Sequence, residues 1–202
     1  MIVVGLTGSI AMGKSTLAQM LRELGAPVFD ADAAVHELYR DATAAKVEAE
    51  FPGVLVDGAV DRERLARYVV NDSAAMKRLE AIVHPAVGER RTRFLDEARR
   101  AGARAAILDV ALLFETGGDR RVDVVLVVSA PPDIQRARAL ERPGADAERF
   151  ASLLARQIPD VEKRRRAHFV IDTSGSLADS RRQAQDFLRA IVGIEKQGQT
   201  IA

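Results

Sequence analysis

The sequence contains no cysteine and no tryptophan, and aromatic residues make up only 4% of its 202 residues. Without cysteine the chain has no disulfide, no thiolate metal site and no cysteine nucleophile. So few aromatic side chains argue against a surface on which nucleic-acid bases stack. These absences exclude a disulfide scaffold and leave a globular chain that is long enough to bury a full core.

The sequence also lacks an excess of charge and a long hydrophobic run. It has 30 Lys and Arg against 29 Asp and Glu, a formal net charge of +1, which gives no reason to expect a nucleic-acid or membrane partner. No apolar run reaches membrane-spanning length, and the first residues have the character of a core strand rather than of a signal peptide. We therefore predict a cytoplasmic monomer or small homo-oligomer that acts on small molecules.

Short apolar runs separated by helical patterns predict an α/β fold with a mainly parallel, five-stranded sheet. The runs lie at residues 2–6, 26–30, 105–110, 122–129 and 168–172. Two long stretches between them have helical patterns and no strand pattern. The alternation predicts one domain that carries additional helical segments.

These helical stretches define the predicted organisation of the chain. Residues 1–30 and 104–202 are expected to form the core, and residues 31–103 a helical insert that covers one side of the ligand pocket. Within the core, two arginine-bearing helices at about 131–167 are expected to act as a lid. No strand is expected in the insert.

One dipeptide of the insert, His84-Pro85, allows two interpretations. Pro85 suits the first turn of a helix, which would make His84 a helix-capping residue. The alternative is that His84 is a catalytic residue. The dipeptide alone does not decide between these roles.

The stretch GSIAMGKS, from Gly8 to Ser15, matches G-x-x-x-x-G-K-[ST] between a predicted strand and a predicted helix. Glycines at both ends let successive N–H groups converge, and the helix start adds free N–H groups and its positive dipole end. The Lys14 ammonium suits the outer phosphates of a nucleotide, and the Ser15 hydroxyl suits Mg²⁺. The motif predicts a three-layer α/β/α fold of the P-loop NTPase type, without separating kinases from GTPases.

Carboxylates stand at the ends of three other predicted strands, where open α/β sheets bind their ligands. Of Asp30 and Asp32, one is expected to face the terminal phosphate as a general base or Mg²⁺ ligand, and the other to cap the next helix. Asp109 is expected to bind Mg²⁺ through water or to contact Ser15.

The chain resembles the dephospho-CoA kinase family over nearly its whole length. The segments that carry the resemblance are, in order, GLTGSIAMGKST, FDADAAV, DGAVDRERLARYV, LEAIVHPAV, LDVALLFE, VDVVLVVSAPPDIQRARALER, ARQIPDVEKRRRA and VIDTSGSL. The resemblance implies transfer of the ATP γ-phosphate to the ribose 3′-hydroxyl of dephospho-CoA, the last step of coenzyme A synthesis. It implies ATP as the phosphate donor, and the Ser15 hydroxyl of the motif adds Mg²⁺ as the second expected cofactor. It also implies a P-loop core, a helical CoA-side domain and a lid.

The motif and the resemblance together assign site residues. The catalytic residues are Asp32 as general base, Lys14, Arg138 and Arg142. The ATP-binding residues are Gly8, Ala11, Met12, Gly13, Lys14, Ser15, Thr16, Arg142 and Asp172. The dephospho-CoA-binding residues are Asp32, His84, Leu113, Phe114 and Glu115. The metal-binding candidates are Ser15 and Asp109.

Some positions depart from the pattern that the family implies. Ser9 and Ala11 stand where glycine is usual, so a positive φ at either position would be strained. Ala111 replaces a usual proline, His168 a usual aspartate and Thr173 a usual asparagine. The last two put details of the adenine contact in doubt.

Two other functions share the phosphate-binding motif. Another small-molecule kinase, such as a nucleoside monophosphate kinase, would have the same loop and a lid, but it would not need the insert segments quoted above. A GTP-binding switch usually carries N-K-x-D, which does not occur here. The sequence therefore favours the kinase of dephospho-CoA.

Overall fold

The computed structural model describes residues 1–141 and 144–198 of the chain. The chain folds as two compact units, Met1–Phe29 with Ala98–Ala202, and Asp30–Glu97. Within the described ranges, no helix combines the length and the apolar character needed to cross a bilayer.

Runs of consecutive helices interrupt the alternation of strands and helices along the chain. In chain order they are β1 (Ile2–Gly8), α1 (Lys14–Glu23), β2 (Val28–Asp30), α2 (Ala31–Leu38), α3 (Ala42–Glu50), β3 (Leu55–Val56), β4 (Ala59–Val60), α4 (Arg62–Val69), α5 (Ser73–Arg100), β5 (Ala105–Asp109), a 3₁₀ helix (Gly118–Arg121), β6 (Val124–Ser129), α6 (Pro132–Leu140), α7 (Ala147–Ala155), α8 (Asp160–Arg166), β7 (Phe169–Asp172) and α9 (Leu177–Gly198).

The main sheet has five strands in the order β2-β5-β1-β6-β7. The strand β1 pairs in parallel with β5 and β6, and β6 pairs in parallel with β7. Every residue of β5 and β6 is buried, as expected for inner strands that are covered on both faces. The predicted α/β class with a mainly parallel, five-stranded sheet is confirmed, and polar residues that end these strands lie at one edge.

Helices α1 and α9 cover part of this sheet. Leu17 and Leu21 of α1 and Phe187 and Ile191 of α9 belong to the largest core cluster, together with inner residues of the strands. Their spacing of four residues places each pair on one helix face. This packing fixes the start of α1 against the end of β1, where the glycine-containing turn lies.

The second unit has its own core of helical residues and a short hairpin. Strands β3 and β4 pair antiparallel, so the expectation of a strand-free insert is wrong. Asp57 and Gly58 form the turn with φ of 49° and 78°. Positive φ at both central residues is what a two-residue hairpin requires, and Asp-Gly is a favoured pair for it. Asp57-Gly58 is therefore a hairpin signal that the sequence-based expectation did not use.

Pro85 lies well inside α5 instead of at its start. The helix begins after Asp72, whose carboxylate accepts the N–H groups of Ala74 and Ala75 at 2.8 and 2.9 Å. The interpretation of His84 as a helix cap is therefore wrong. A proline here removes one helical hydrogen bond, and the exposure of Ala81 lets water reach the carbonyl that loses its partner.

The stretch at 131–167 contains the three helices α6, α7 and α8, where two were expected. Asp146 caps the start of α7 by accepting the N–H groups of Glu148 and Arg149. On α8, Arg165 and Arg166 pair with Glu162 on the exposed face. These two arginines therefore belong to a solvated surface, and the closing motion of a lid stays a prediction.

Candidate active site

The turn between β1 and α1 has the backbone of a phosphate-binding loop. Gly13 precedes the helix with φ of 86°, and Ala11 has φ of 63°. Residues of positive φ turn successive N–H groups toward one concavity, and α1 adds the free N–H groups of its first turn. Ala11 pays the steric cost that a glycine would avoid, as expected from the sequence, whereas Ser9 is not among the residues of positive φ.

Gly8 is required by the strand beside it. A Cβ atom at this position would lie 2.8 Å from the carbonyl oxygen of Val128, and closer still to the Cγ2 atom of that side chain. At Gly13 an added Cβ would meet only ordinary contacts, the nearest at 3.4 Å to Thr173 Oγ1. Gly8 therefore allows β1 and β6 to lie close together, whereas Gly13 allows the backbone of the turn to adopt a positive φ.

The Lys14 ammonium forms an ion pair with the carboxylate of Asp109. Asp109 ends β5 and is only 3% exposed, so the sheet fixes the position of the carboxylate. A buried carboxylate that holds a partly exposed ammonium restricts the lysine side chain to one region of the loop. The sequence placed Asp109 near Ser15 or Mg²⁺, and the structure adds Lys14 as its partner.

Arg138 of α6 contacts the loop that follows β7. Its guanidinium donates to the carbonyl oxygen of Thr173 at 2.6 Å and to the hydroxyl of Thr173 at 3.2 Å. The Thr173 hydroxyl donates in turn to the carbonyl oxygen of Met12 at 2.9 Å. Thr173 therefore links the arginine to the phosphate-binding loop, a role that could not be predicted from its unusual residue type.

Two cavities that adjoin this loop also border α6, and another, of about 620 Å³, is lined by Ser15 and Thr16 of α1. The first, of about 530 Å³, is lined by residues from the loop, α1, α6 and the segment after β7, including Gly13, Thr16, Arg138, Thr173 and Gly175. The second, of about 920 Å³, lies among Met12, α6, α7 and α8 and the end of β7, and Asp172 lines it. Of the predicted ATP-binding residues, Ala11, Gly13 and Thr16 line the first cavity, and Met12 and Asp172 line the second. Thr173 and Gly175 also line the first cavity, although the sequence did not assign them to ATP.

Asp30 and Asp32 have different surroundings in the second unit. Asp30 caps α2 by accepting the N–H group of Ala33 at 2.9 Å. Asp32 lies in the first turn of α2 with an exposed side chain. The structure therefore identifies Asp30 as the capping member of the pair. His84, also of this unit, is exposed on α5.

The three consecutive residues assigned to the acceptor substrate are held by protein contacts. Leu113 and Phe114 are buried in a cluster with Val125 and Val127. Glu115 accepts the N–H group of Ile158 at 2.9 Å. Their role in binding dephospho-CoA stays a prediction. Arg142 lies outside the described residues.

The sequence matches the family described as dephospho-CoA kinase over residues 2–179. It is 54% identical over 190 residues to the dephospho-CoA kinase of Nitrobacter winogradskyi, covering 94% of this chain and 96% of that protein. Dephospho-CoA kinase from Campylobacter jejuni superimposes with a TM-score of 0.71 at 26% identity, over 96% of this chain and 98% of that one.

A more distant structure shares the fold alone. Shikimate kinase from Acinetobacter baumannii, in complex with shikimate, superimposes with a TM-score of 0.51 at 18% identity and covers 96% of this chain and 94% of that one. The phosphate-binding loop, the parallel sheet and the match over most of the length point to the same conclusion, which the sequence already indicated: the chain belongs to the dephospho-CoA kinase family.

Proposed function

We propose that this kinase transfers the γ-phosphoryl group of ATP to the ribose 3′-hydroxyl of dephospho-CoA, with Asp32 as general base. The supporting observation is the loop from Gly8 to Ser15, whose lysine is held by a buried carboxylate at the edge of the sheet. A loop of converging N–H groups with a fixed ammonium is suited to the β- and γ-phosphates of ATP. Family membership supports the two substrates.

On the ATP side, the Lys14 ammonium offsets the charge that spreads over the transferring phosphoryl group. The cavity of about 530 Å³ next to Gly13 and Thr16 is the proposed position of the nucleoside part of ATP. Arg138 borders the same cavity, and its contact with Thr173 leaves part of the guanidinium for the phosphates. Asp172 begins the segment that passes this nucleoside.

Mg²⁺ is proposed as the metal of the reaction. The Ser15 hydroxyl and the Asp109 carboxylate are hard oxygen donors, the ligand type that Mg²⁺ prefers, and one or two protein ligands suffice when phosphates supply the rest. Bound there, Mg²⁺ would neutralise charge on the phosphate oxygens.

On the acceptor side, the Asp32 carboxylate accepts the proton of the attacking hydroxyl. Its exposure on the first turn of α2 leaves it accessible to a substrate. His84 is proposed to bind the acceptor rather than the nucleotide. Cytoplasmic location and a monomeric or small homo-oligomeric state stay predictions from the sequence.

An ADP-release assay with ATP, Mg²⁺ and dephospho-CoA tests the reaction directly. We expect turnover with dephospho-CoA and none with adenosine monophosphate or shikimate as the acceptor. Phosphorus NMR of the product should show a new 3′-phosphomonoester. Equal turnover with a nucleoside monophosphate would instead favour the other small-molecule kinase.

Arg138→Ala is expected to lower kcat roughly 10- to 100-fold, the scale of one lost hydrogen bond to a charged group. If the arginine acts on the transferring phosphoryl group, kcat falls more than ATP affinity does. Arg138→Lys should recover part of the loss, because the charge remains without the planar fork. Steady-state kinetics with varied ATP measures both quantities.

Arg136→Ala is the matched control, since Arg136 lies on the exposed side of the same helix. It should leave kcat within about twofold of the wild-type value, as exposed substitutions usually do. Equal behaviour of Arg138→Ala and Arg136→Ala would place Arg138 on a merely solvated face.

His84→Ala is expected to raise the KM for dephospho-CoA roughly 3- to 10-fold, the scale of one lost neutral hydrogen bond. ATP affinity should stay unchanged, because the histidine is assigned to the acceptor. Initial rates at varied dephospho-CoA, with calorimetric titration of ATP, separate the two effects. A variant with both affinities intact would remove His84 from the acceptor site.

A further inference from the structure

A buried ion pair lies outside the phosphate-binding loop. The side chain of Lys163, on α8, is fully buried, and its Nζ atom lies 2.9 Å from Glu115 Oε1. The same Glu115 oxygen accepts the N–H group of Ile158 at 2.9 Å. Burial raises the pKa of Glu115, but the bonds from Lys163 and Ile158 outweigh it, so the pKa lies below its usual range. The carboxylate is therefore charged and fixes the turn before α8.

The turn contacts the phosphate-binding loop through Gln157, the residue before Ile158. The side chain of Gln157 accepts the N–H group of Ile10 at 3.0 Å. The carbonyl oxygen of Ile10 accepts the side-chain amide of Gln135 at 2.7 Å. Gln135 is only 4% exposed on α6, so it is itself held in place. Two glutamines from different segments thus bind the N–H and C=O groups of one residue in the loop.

We propose that Glu115 and Lys163 are positioning residues for the phosphate-binding loop. The pair anchors Ile158, Gln157 then holds the amide of Ile10, and the loop keeps the backbone orientation that directs its N–H groups to ATP. Neither residue of the pair touches a substrate. The proposal rests on the assignment of this loop to ATP, and it replaces the sequence-based role of Glu115 as a ligand of dephospho-CoA.

The orientation of Ile10 matters because converging N–H groups bind phosphate only while each peptide plane keeps its direction. Replacing Gln157 removes the acceptor of the Ile10 N–H group. Replacing Glu115 loosens Ile158 and with it the neighbouring Gln157. Both changes therefore act on the same contact. The effects of two variants that act through one contact do not add in the double variant, whereas the effects of two independent contacts do. Additivity therefore tests whether Glu115 and Gln157 act through the same contact.

The first test compares Glu115→Gln, Gln157→Ala and the double variant. Each single variant should raise the KM for ATP roughly 3- to 10-fold, the scale of one lost hydrogen bond. The KM for dephospho-CoA should change by less than about twofold, within the ordinary spread of variants away from a binding site. The KM of the double variant for ATP should be no higher than that of the more impaired single variant. A rise in the KM for dephospho-CoA alone after Glu115→Gln would overturn the proposal.

Glu162→Gln is the matched control. It makes the same chemical change on α8, but in an exposed pair with Arg165 and Arg166. Kinetics and the exchange rate of the Ile10 amide, measured by NMR, should equal those of the wild type. The Ile10 amide should lose protection in Glu115→Gln and in Gln157→Ala. Unchanged exchange at Ile10 in Glu115→Gln would contradict the anchor, even in a protein that showed no kinase activity.

If Glu115→Gln does not fold, the double variant Glu115→Leu with Lys163→Leu tests the same proposal. Removing both charges avoids leaving one of them buried without its counterpart. The same shift in ATP KM and the same loss of protection at Ile10 are expected. Wild-type values for both in a folded double variant would overturn the proposal.

Discussion

Lys14→Ala is expected to lower kcat by about a hundredfold or more, the effect of removing roughly 3 kcal/mol of electrostatic stabilisation from the transferring phosphoryl group. The ammonium acts on charge that develops on the phosphates, so the loss falls mainly on turnover. The ADP-release assay at saturating ATP measures it. Near-wild-type turnover would contradict the assignment of Gly8 to Ser15 as a phosphate-binding loop.

The ion pair with Asp109 adds an effect on stability that the sequence did not suggest. Lys14→Ala removes the ammonium beside a carboxylate that is 3% exposed. Breaking one partner of a buried pair typically costs about 3 kcal/mol or more, so the melting temperature should fall. Adding Asp109→Asn should recover much of that stability without recovering turnover. Melting curves of both variants therefore measure the loss of stability separately from the loss of turnover.

Asp32→Asn is expected to lower kcat by about 10²-fold, the low end of the ~10² to 10⁴ typical of general-base assistance. The low end applies because phosphoryl transfer has a loose transition state, in which the acceptor proton leaves late. The variant keeps the size of the side chain and loses the ability to accept a proton. ATP affinity should persist or tighten, because a nearby carboxylate repels the triphosphate. Single-turnover kinetics and ATP titration measure the two effects.

Asp30→Asn is the matched control for Asp32→Asn. Asp30 accepts the N–H group of Ala33 at the start of α2, and asparagine caps a helix as well as aspartate does. The control should therefore keep both its fold and most of its turnover. Asp32→Asn retaining more than about a tenth of wild-type kcat would remove the residue from the role of base. Loss of ATP affinity that added Mg²⁺ restores would make it a metal ligand.

The sheet and the phosphate-binding loop could be predicted because their signals are local. A buried parallel strand is apolar along its length, and the loop needs glycine, lysine and a hydroxyl at fixed spacing. A helix cap at Asp30 or Asp32 could also be predicted, because aspartate directly before a helix commonly caps it. The start of α5 was mispredicted because Pro85 is a local helix-start signal, whereas Asp72 provides a stronger one that the pattern of apolar residues did not emphasise.

Contacts between distant segments could not be predicted from such signals. The ion pair of Lys14 with Asp109 depends on the order of strands in the sheet, and 95 positions separate the two residues. Gln157 contacts Ile10 across 147 positions, from a turn whose own sequence gives no sign of that partner. Thr173 stood out only as an unusual residue type. Such pairings require the topology, which a single sequence does not encode in a readable pattern.

The two glycines of the loop differ in whether evolution could ever compensate for their replacement. At Gly13 the constraint is one of handedness, since φ of 86° suits any residue of the opposite chirality and involves no neighbour closely. At Gly8 the nearest obstacle includes the carbonyl oxygen of Val128, a main-chain atom that every amino acid at that position retains. Trimming Val128 would clear only its side chain. No second-site replacement on β6 can therefore rescue Gly8→Ala while the strand keeps its course.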